Sequence, residues 1–211
     1  KYVKLSSALK VIPSKTFYNC DALEGVDMPQ NVRIIDERAF YRCQTLKNII
    51  LPESVVIIEE EAFMECTSLT DIIIPAGIVY MGAGVFRNCT GLKNAVISEG
   101  TTVLHQEIFT GCSSLTSVRL PSTLTDMEAD AFCGCTSLQQ ISLPNGLTYI
   151  PVGAFDSCTS LKEVTIPQSV TGIGEAAFRR CSSLTGIEIP EKVSELGVNI
   201  FYDCDSLKEI R

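Results

Sequence analysis

A strict 23-residue period runs through the whole chain and limits what it can fold into. Phe recurs at this spacing and accounts for all nine Phe of the 211 residues. Cys follows each Phe by three residues and Leu follows each Cys by three. The first column is Phe17, Phe40, Phe63, Phe86, Phe109, Phe132, Phe155, Phe178 and Phe201. Three columns without a slip predict a repeat architecture and not one or two ordinary domains.

Each unit begins with a short strand. Val164 and Ile166 alternate with Glu163 and Thr165, which is the period of two that is typical of a strand. Pro167 follows, and Pro ends a strand because it has no amide hydrogen to donate. Pro recurs with the same period except in one unit, where Ser98 replaces it.

The second half of each unit returns the chain to the next strand. Val170 and Ile173 are three residues apart and indicate a second extended piece over residues 169–173. The apolar residues Ala177, Phe178 and Cys181 then follow at helical spacing. Three-residue steps predict one to two turns of 3₁₀ or α helix that face the interior.

One such unit is too small to bury its apolar side, so the units must stack. Neighbouring strands in a sheet lie about 4.8 Å apart, and stacked units share one continuous core. About nine units then form a rod of roughly 40–45 Å with a parallel sheet along one side. We expect a single solenoid domain over residues 1–211, with no linker.

The complete motif is L-x-x-I-x-I-P-x-x-V-x-x-I-x-x-x-A-F-x-x-C-x-x-L, with clear copies over residues 138–159 and 161–182. This motif resembles the BspA-like, Treponema pallidum-type leucine-rich repeat. The resemblance implies a right-handed leucine-rich repeat solenoid, β-rich with short 3₁₀/α turns, whose first-strand sheet is concave. It also implies a surface or secreted protein that binds other proteins or adheres to cells and has no catalytic role. The family has no fixed functional residues, so no site is carried over.

One unit departs from the motif, around residues 92–114. Ser98 replaces Pro, Thr101 replaces an apolar residue, and Ala95 is small at a core position. We expect an altered turn in this unit. The first unit lacks its Leu, and the chain stops in mid-repeat at Arg211. Because solenoids carry polar end caps, we expect the domain to be part of a longer protein.

The spacing of the cysteines argues against a disulfide framework. Equivalent Cys side chains in stacked units point in parallel, which places their Cβ atoms about 4.8 Å apart, beyond the ~3.5–4.5 Å of a disulfide. We expect nine buried free thiols that act as small apolar side chains. Cys133 lies outside the column, and we expect a single exposed thiol, with a redox pair of Cys133 and Cys135 as the alternative.

Composition excludes several classes of function. The net charge of -8 argues against nucleic-acid binding, which depends on Lys and Arg. A single His and carboxylates spread by the repeat predict no catalytic site, no metal site and no cofactor. No apolar run approaches the ~18 residues of a membrane span. We therefore expect a protein that is not an enzyme.

The residues that point outward from the first strand are free to vary and must carry any binding function. Ile50, Ile73 and Val96 form an apolar stripe across three successive units. A contiguous apolar patch with a polar rim is typical of a binding site, although β-propensity on an ordinary sheet is the alternative. The predicted partner-binding residues are Asn48, Ile50, Asp71, Ile73, Asn94, Val96 and Arg119.

Other outward positions are given plainer interpretations. A second apolar zone of Val56, Ile57, Val79 and Tyr80 is expected to contact a neighbouring domain or to form a dimer. Edge-to-edge dimers are the other oligomer that the strands allow. His105 is expected to be an exposed turn residue. The acidic positions of the concave face, Glu163, Glu188 and Glu209, are expected to be solvated.

Three roles are consistent with these features. The first is a module of an extracellular or cell-surface protein that binds a protein or glycan through the concave sheet. The second is a spacer that presents another domain. The third is an intracellular scaffold, because a core rich in free thiols suits a reducing compartment.

Overall fold

The computed structural model describes all 211 residues and consists of short strands joined by turns. Nineteen strands fall into two columns that alternate along the chain. The first column comprises Tyr2–Lys4 (β1), Gly25–Asp27 (β3), Asn48–Ile49 (β5), Asp71–Ile74 (β7), Asn94–Ile97 (β9), Ser117–Arg119 (β11), Gln140–Ser142 (β13), Glu163–Thr165 (β15), Gly186–Ile187 (β17) and Glu209–Ile210 (β19). The second column comprises Val11–Ile12 (β2), Ile34–Ile35 (β4), Ile57–Ile58 (β6), Tyr80–Met81 (β8), Val103–Leu104 (β10), Asp126–Met127 (β12), Tyr149–Ile150 (β14), Gly172–Ile173 (β16) and Glu195–Leu196 (β18).

Strand pairing follows the sequence period. Every pairing is parallel and joins residues 23 apart, such as Ile73 with Val96 and Ile35 with Ile58. Hydrogen bonding divides the first column into the sheets β1-β3-β5, β7-β9-β11, β13-β15 and β17-β19, and the second into β2-β4-β6-β8, β10-β12 and β14-β16-β18. One sequence repeat is therefore one coil of a leucine-rich repeat solenoid, as predicted.

The motif columns form one continuous core between the two strand columns. Fifty-seven buried apolar residues belong to a single cluster. Successive Phe rings stack with centroids 5.0–6.0 Å apart and planes within 16° of parallel. Seven rings, from Phe40 to Phe178, are fully buried. Stacked aromatic pairs at this distance are favourable beyond the area they bury.

The predicted helical turn is wrong, because this segment contains turns and no helix. Ala176 and Arg180 have φ of 54° and 57°, and a right-handed helix does not pass through such residues. Phe178 donates its amide to Ile200 O of the next coil at 3.1 Å and not to its own segment. The Cys181 amide bonds to Phe178 O at 3.2 Å and closes a single turn.

This arrangement repeats at every junction between coils and makes an uninterrupted set of hydrogen bonds, which we call the turn-edge ladder. It comprises the amides of each Phe and of the residues two before and two after it. In one coil, the amides of Glu107, Phe109 and Gly111 donate to the next coil at 3.0, 2.9 and 2.7 Å. Equivalent bonds join all nine coils. The turn edge therefore holds the stack together where the two strand columns are interrupted.

The turn that lacks Pro is altered, as predicted. Ser98 donates its amide to Ile74 O of the preceding coil at 3.1 Å, and Gly100 adopts φ of 106°. The closing bond of most coils, such as Val170 N to Pro167 O at 3.0 Å, is made neither at Thr101 nor at Ile78 in the coil before it. Thr101 is buried, and its hydroxyl has no hydrogen-bond partner.

All ten cysteines are free, and seven of the nine in the column are buried, which confirms the thiol ladder. The thiols do more than fill space. From the second coil onward, each Sγ lies 3.1–3.2 Å from the carbonyl oxygen of the Phe 26 residues earlier and donates to it. Sequence reasoning missed this bond, because nothing in the spacing shows which atom faces the thiol.

Cys133 is half-buried and not exposed, contrary to prediction. Burial raises the pKa of its thiol to about 11, and the carboxylates of Asp156 and Asp130 contribute to the rise. Asp156 is itself buried and is bound by the Arg179 guanidinium. The turn beside Cys133 therefore packs more closely than its variable column suggests.

Candidate functional site

The first-strand face, which is the outward side of the first strand column, carries the predicted binding residues. Along β7, Ile72 and Ile74 are buried while Asp71 and Ile73 are exposed. The alternation arises because successive side chains of a strand point to opposite sides. The structure thus brings the variable columns together on one surface, as the sequence predicts.

The apolar stripe is present on this face. Ile50 and Ile73 are 80% and 62% exposed, and Val96 is half-buried. Ile73 pairs directly with Val96, and Arg119 pairs with Val96 on the other side. Ile50 lies one coil earlier, across an interruption between β5 and β7. The stripe is therefore a close pair with one outlying member.

A polar row runs beside the stripe. Asn94 donates from Nδ2 to Asp71 Oδ1 at 2.7 Å, and Asn48 is exposed one coil earlier. The hydrogen bond from Asn94 lowers the pKa of the Asp71 carboxyl, which is therefore ionised at neutral pH. The row offers a partner one charged acceptor and the remaining donors and acceptors of two amides.

The middle of this face contains a shallow depression that the sequence did not indicate. It lies where β11 and β13 are not hydrogen-bonded to each other. The lining includes Ser117, Gln140, Ser142, Glu163 and Thr165. Hydroxyl and amide groups dominate it, so the coils that follow the apolar stripe present a polar surface.

The carboxylates at the end of the same face do not converge. Glu209 pairs with Arg211 at 2.8 Å, and this hydrogen bond lowers the pKa of Glu209. Glu163 and Glu188 are exposed. Across the structure, no group of three or more His, Cys, Asp or Glu is arranged to hold a metal ion.

The second-strand face, which is the outward side of the second strand column, carries the other apolar zone. Val79 is 84% exposed, and Val56, Ile57 and Tyr80 are half-buried. His105, expected to be exposed, is half-buried, with its ring 5.3 Å from that of Tyr80.

The His105 ring also contacts the following coil. Its Nδ1 lies 3.2 Å from Glu128 Oε1. The imidazole is therefore packed between an aromatic ring and a carboxylate.

No helix in the structure has the length and apolar character that crossing a membrane requires.

Solved structures of bacterial repeat proteins resemble the chain. A leucine-rich cell surface protein from Faecalibacterium prausnitzii is 31% identical over 85% of this chain, with a TM-score of 0.68. The chain spans 42% of that protein. The Treponema pallidum leucine-rich repeat protein is 27% identical over 98% of this chain and 78% of its own, with a TM-score of 0.59. No curated protein matches the chain.

A family model describes nearly the whole sequence. The BspA type leucine-rich repeat region matches residues 10–136 and 102–211, with six copies. A leucine-rich repeat protein from Bacteroides ovatus, 26% identical over 100% of this chain and 72% of its own, has the same fold with a TM-score of 0.50. With the motif columns in the core and one coil for each repeat, the chain belongs to the BspA-type leucine-rich repeat family.

Proposed function

We propose that the chain is a non-catalytic protein-binding module of a cell-surface or secreted protein, and that its first-strand face is the binding surface. The observation that carries this proposal is the apolar stripe of Ile50, Ile73 and Val96 in an outward column that is otherwise polar. Exposed apolar side chains that form a patch with a polar rim are typical of interaction surfaces. The family supports the proposal, because its repeats serve in general as interaction modules and not as enzymes.

The apolar stripe and the polar row on this face contribute different interactions to binding. The stripe supplies apolar area that a partner removes from water, at about 25 cal/mol per Å². Asp71, Asn94 and Arg119 supply hydrogen bonds and charge, which determine orientation and specificity more than affinity. Later coils offer Ser142 and Thr165 in place of the stripe. The early coils are therefore the centre of the surface.

The surface location rests on the relatives. The Faecalibacterium protein, 31% identical to this chain, is described as a cell surface protein. Adhesion to a host or neighbouring cell follows from that location if the partner is itself on a cell. A glycan partner is the second candidate, and the depression lined by hydroxyl and amide groups favours it. A spacer role predicts no ligand on this face.

A photo-crosslinking experiment tests the proposal. Two variants are made, with the photoreactive residue benzoylphenylalanine at position 73 in one and, as the matched position in a later coil, at position 165 in the other. Each is mixed with surface proteins of cultured epithelial cells and irradiated. Crosslinked proteins are identified, purified and titrated against Ile50→Lys/Ile73→Lys/Val96→Lys. We expect crosslinking from Ile73 only and binding weakened at least tenfold by the triple variant.

The control is Ser142→Lys/Thr165→Lys, which adds charge to the same column without removing apolar area. Far-UV circular dichroism and urea midpoints establish that each variant is folded. Equal crosslinking from both positions, or binding unchanged in the triple variant, would place the partner elsewhere. Crosslinks from neither position would favour the spacer role.

A further inference from the structure

The second-strand face changes composition halfway along the solenoid. One outward column there holds Thr in four successive later coils, Thr102, Thr125, Thr148 and Thr171. The same column holds Val56 and Val79 in the two preceding coils, and Val79 is 84% exposed. Threonine at these positions is compatible with the fold, so the fold does not require the two valines.

These valines belong to a contiguous surface of four apolar side chains, Val56, Ile57, Val79 and Tyr80, which we call the apolar ridge. Ile57 pairs with Tyr80 in the register of β6 and β8. Val79 donates its amide to Val56 O at 2.8 Å, so the two valines are also neighbours. Stacked strands lie about 4.8 Å apart, so Val56 lies beside Val79 and Ile57 beside Tyr80, and none of the four is fully buried.

Carboxylates border the apolar ridge on the side toward the turn edge. Glu59 and Glu60 follow β6 directly, and the Glu59 amide donates to Ile35 O at 2.8 Å, which places it beside Asp36. Partial burial and the charges of Asp36 and Glu60 raise the pKa of Glu59. Burial is the largest cause that raises the pKa of the Tyr80 hydroxyl, and the negative charges of Glu59 and Glu60 raise it further. The carboxylates and the ridge therefore share one surface.

No cation in the chain neutralises these three carboxylates. Arg38, the nearest arginine in sequence, is held by Glu37 at 3.1 Å and by Glu61 at 2.6 Å. Asp36, Glu59 and Glu60 form no ion pair. Arg33 is exposed one coil before Val56 and gives the surface a positive end. A complementary partner must carry positive charge opposite the carboxylates.

We propose that the apolar ridge, with Asp36, Glu59 and Glu60, docks a second protein through a segment in which apolar side chains are bordered by Lys or Arg. A second copy of this chain fits poorly. A symmetric dimer places the same patch on both sides, so each copy could offer the three carboxylates of the other only the one cation that borders this surface, Arg33, and an excess of negative charge would remain. Like charges brought together at an interface oppose association. This docking surface is separate from the first-strand face and does not depend on the function proposed for it.

The probe for this surface is a synthetic 18-residue amphipathic peptide of Leu and Lys, and calorimetric titration measures its affinity for the full chain. We expect Val56→Thr/Val79→Thr to weaken binding about tenfold, because the exposed valines supply the apolar contact. We expect a similar loss in Glu59→Gln/Glu60→Gln, together with a weaker salt dependence. Amide chemical-shift changes should centre on Ile57 and Tyr80.

The matched controls are Val198→Thr, at an exposed valine far from the ridge, and Glu191→Gln/Glu195→Gln, which removes the same charge elsewhere. Both should bind the peptide as the parent does. Urea midpoints verify that the variants are folded. The proposal is overturned if all variants bind equally, or if a Leu/Glu peptide binds as well as the Leu/Lys peptide. Self-association of the parent that Val56→Thr/Val79→Thr abolishes would also overturn it, in favour of a second copy.

Discussion

At the scale of single residues, the buried hydroxyl of Thr101 has the clearest energetic consequence. Leaving a buried polar group without a partner costs about 1–3 kcal/mol. Val occupies the same column at Val32, Val55 and Val170 and is fully buried there. We expect Thr101→Val to raise the free energy of unfolding by about 1 kcal/mol, measured by urea denaturation. Thr102→Val, at an exposed neighbour, should change it little, and an equal gain there would remove the explanation.

Thiol reactivity is the second prediction at this scale. The thiolate is the reactive form, and a raised pKa makes it scarce at neutral pH. The pKa of Cys133 is about 11, so its alkylation by iodoacetamide should be slow at pH 7.5 and rise about tenfold per pH unit toward 11. Without denaturant, mass spectrometry should find label on no more than the three half-buried cysteines, Cys20, Cys133 and Cys204. Rapid labelling of most of the ten would contradict the buried ladder.

The burial of a side chain can be predicted from the sequence where the residue follows the 23-residue period. It cannot be predicted where contacts between variable residues of neighbouring coils determine it. The Cys column predicts buried thiols, and the columns around Asn48 and Ile73 predict exposed side chains. Cys133 was expected to be exposed because its column holds charged and aromatic residues. Its thiol is half-buried and lies within the influence of the Asp130 and Asp156 carboxylates, and the period does not specify this surrounding of variable residues.

At the scale of elements, the turn edge and the strand columns hold the coils together unequally. The turn-edge ladder is continuous, whereas β8 and β10 are not hydrogen-bonded to each other. The amides of Thr102 and His105 make no hydrogen bond, although Thr125 and Glu128, in the same columns, donate to the preceding coil at 2.9 and 2.8 Å. The second-strand side is therefore without strand hydrogen bonds between these two coils, as it also is between β12 and β14.

Hydrogen exchange measured by NMR tests this difference. Amides that lack hydrogen bonds exchange through small local openings, whereas bonded amides in a packed core require larger ones. We expect Thr102 and His105 to exchange at least tenfold faster than Thr125 and Glu128, and Phe109 and Gly111 to be among the slowest. Equal protection of Thr102 and Thr125 would mean that the interruption does not weaken the stack.

The error over the helical turn shows what a residue pattern leaves open. Apolar residues three apart, at Phe178 and Cys181, fit a helix and a chain of turns equally well. Positive φ decides between them, and at Ala176 and Arg180 the residue type gives no sign of it. Gly84 and Gly153 share a column with Ala176 and also have positive φ. They were the available signal, because glycine favours that conformation.

At the scale of the whole molecule, one outward column on each face changes from apolar to polar side chains along the solenoid. Ile73 on one face and Val79 on the other lie in the same coil. The column of Ile73 holds Ser142 and Thr165 three and four coils later, and the column of Val79 holds Thr in each of the next four coils. Since the core columns are uniform, this asymmetry is not needed for folding, and it places both proposed contacts in the same part of the rod.

Stacking also determines how far along the solenoid a core substitution lowers stability. In a solenoid each coil contacts only its neighbours, so stability is the sum of coil and junction contributions. Phe109 is fully buried and stacks on Phe86 and Phe132 at 5.7 and 5.5 Å. We expect Phe109→Ala to cost about 3–5 kcal/mol through the cavity it leaves. Phe109→Leu keeps most of the volume and should cost less, about 1–2 kcal/mol.

The distribution of the loss distinguishes this prediction from a general weakening. Hydrogen exchange of Phe109→Ala should accelerate in the turn-edge ladder of the coils that carry Phe86, residue 109 and Phe132. The coils of Phe40 and Phe178 should retain the parent's protection, because junction contributions reach only adjacent coils. A uniform loss along all nine coils would contradict nearest-neighbour stacking, since it would show that the rod opens as a single cooperative unit.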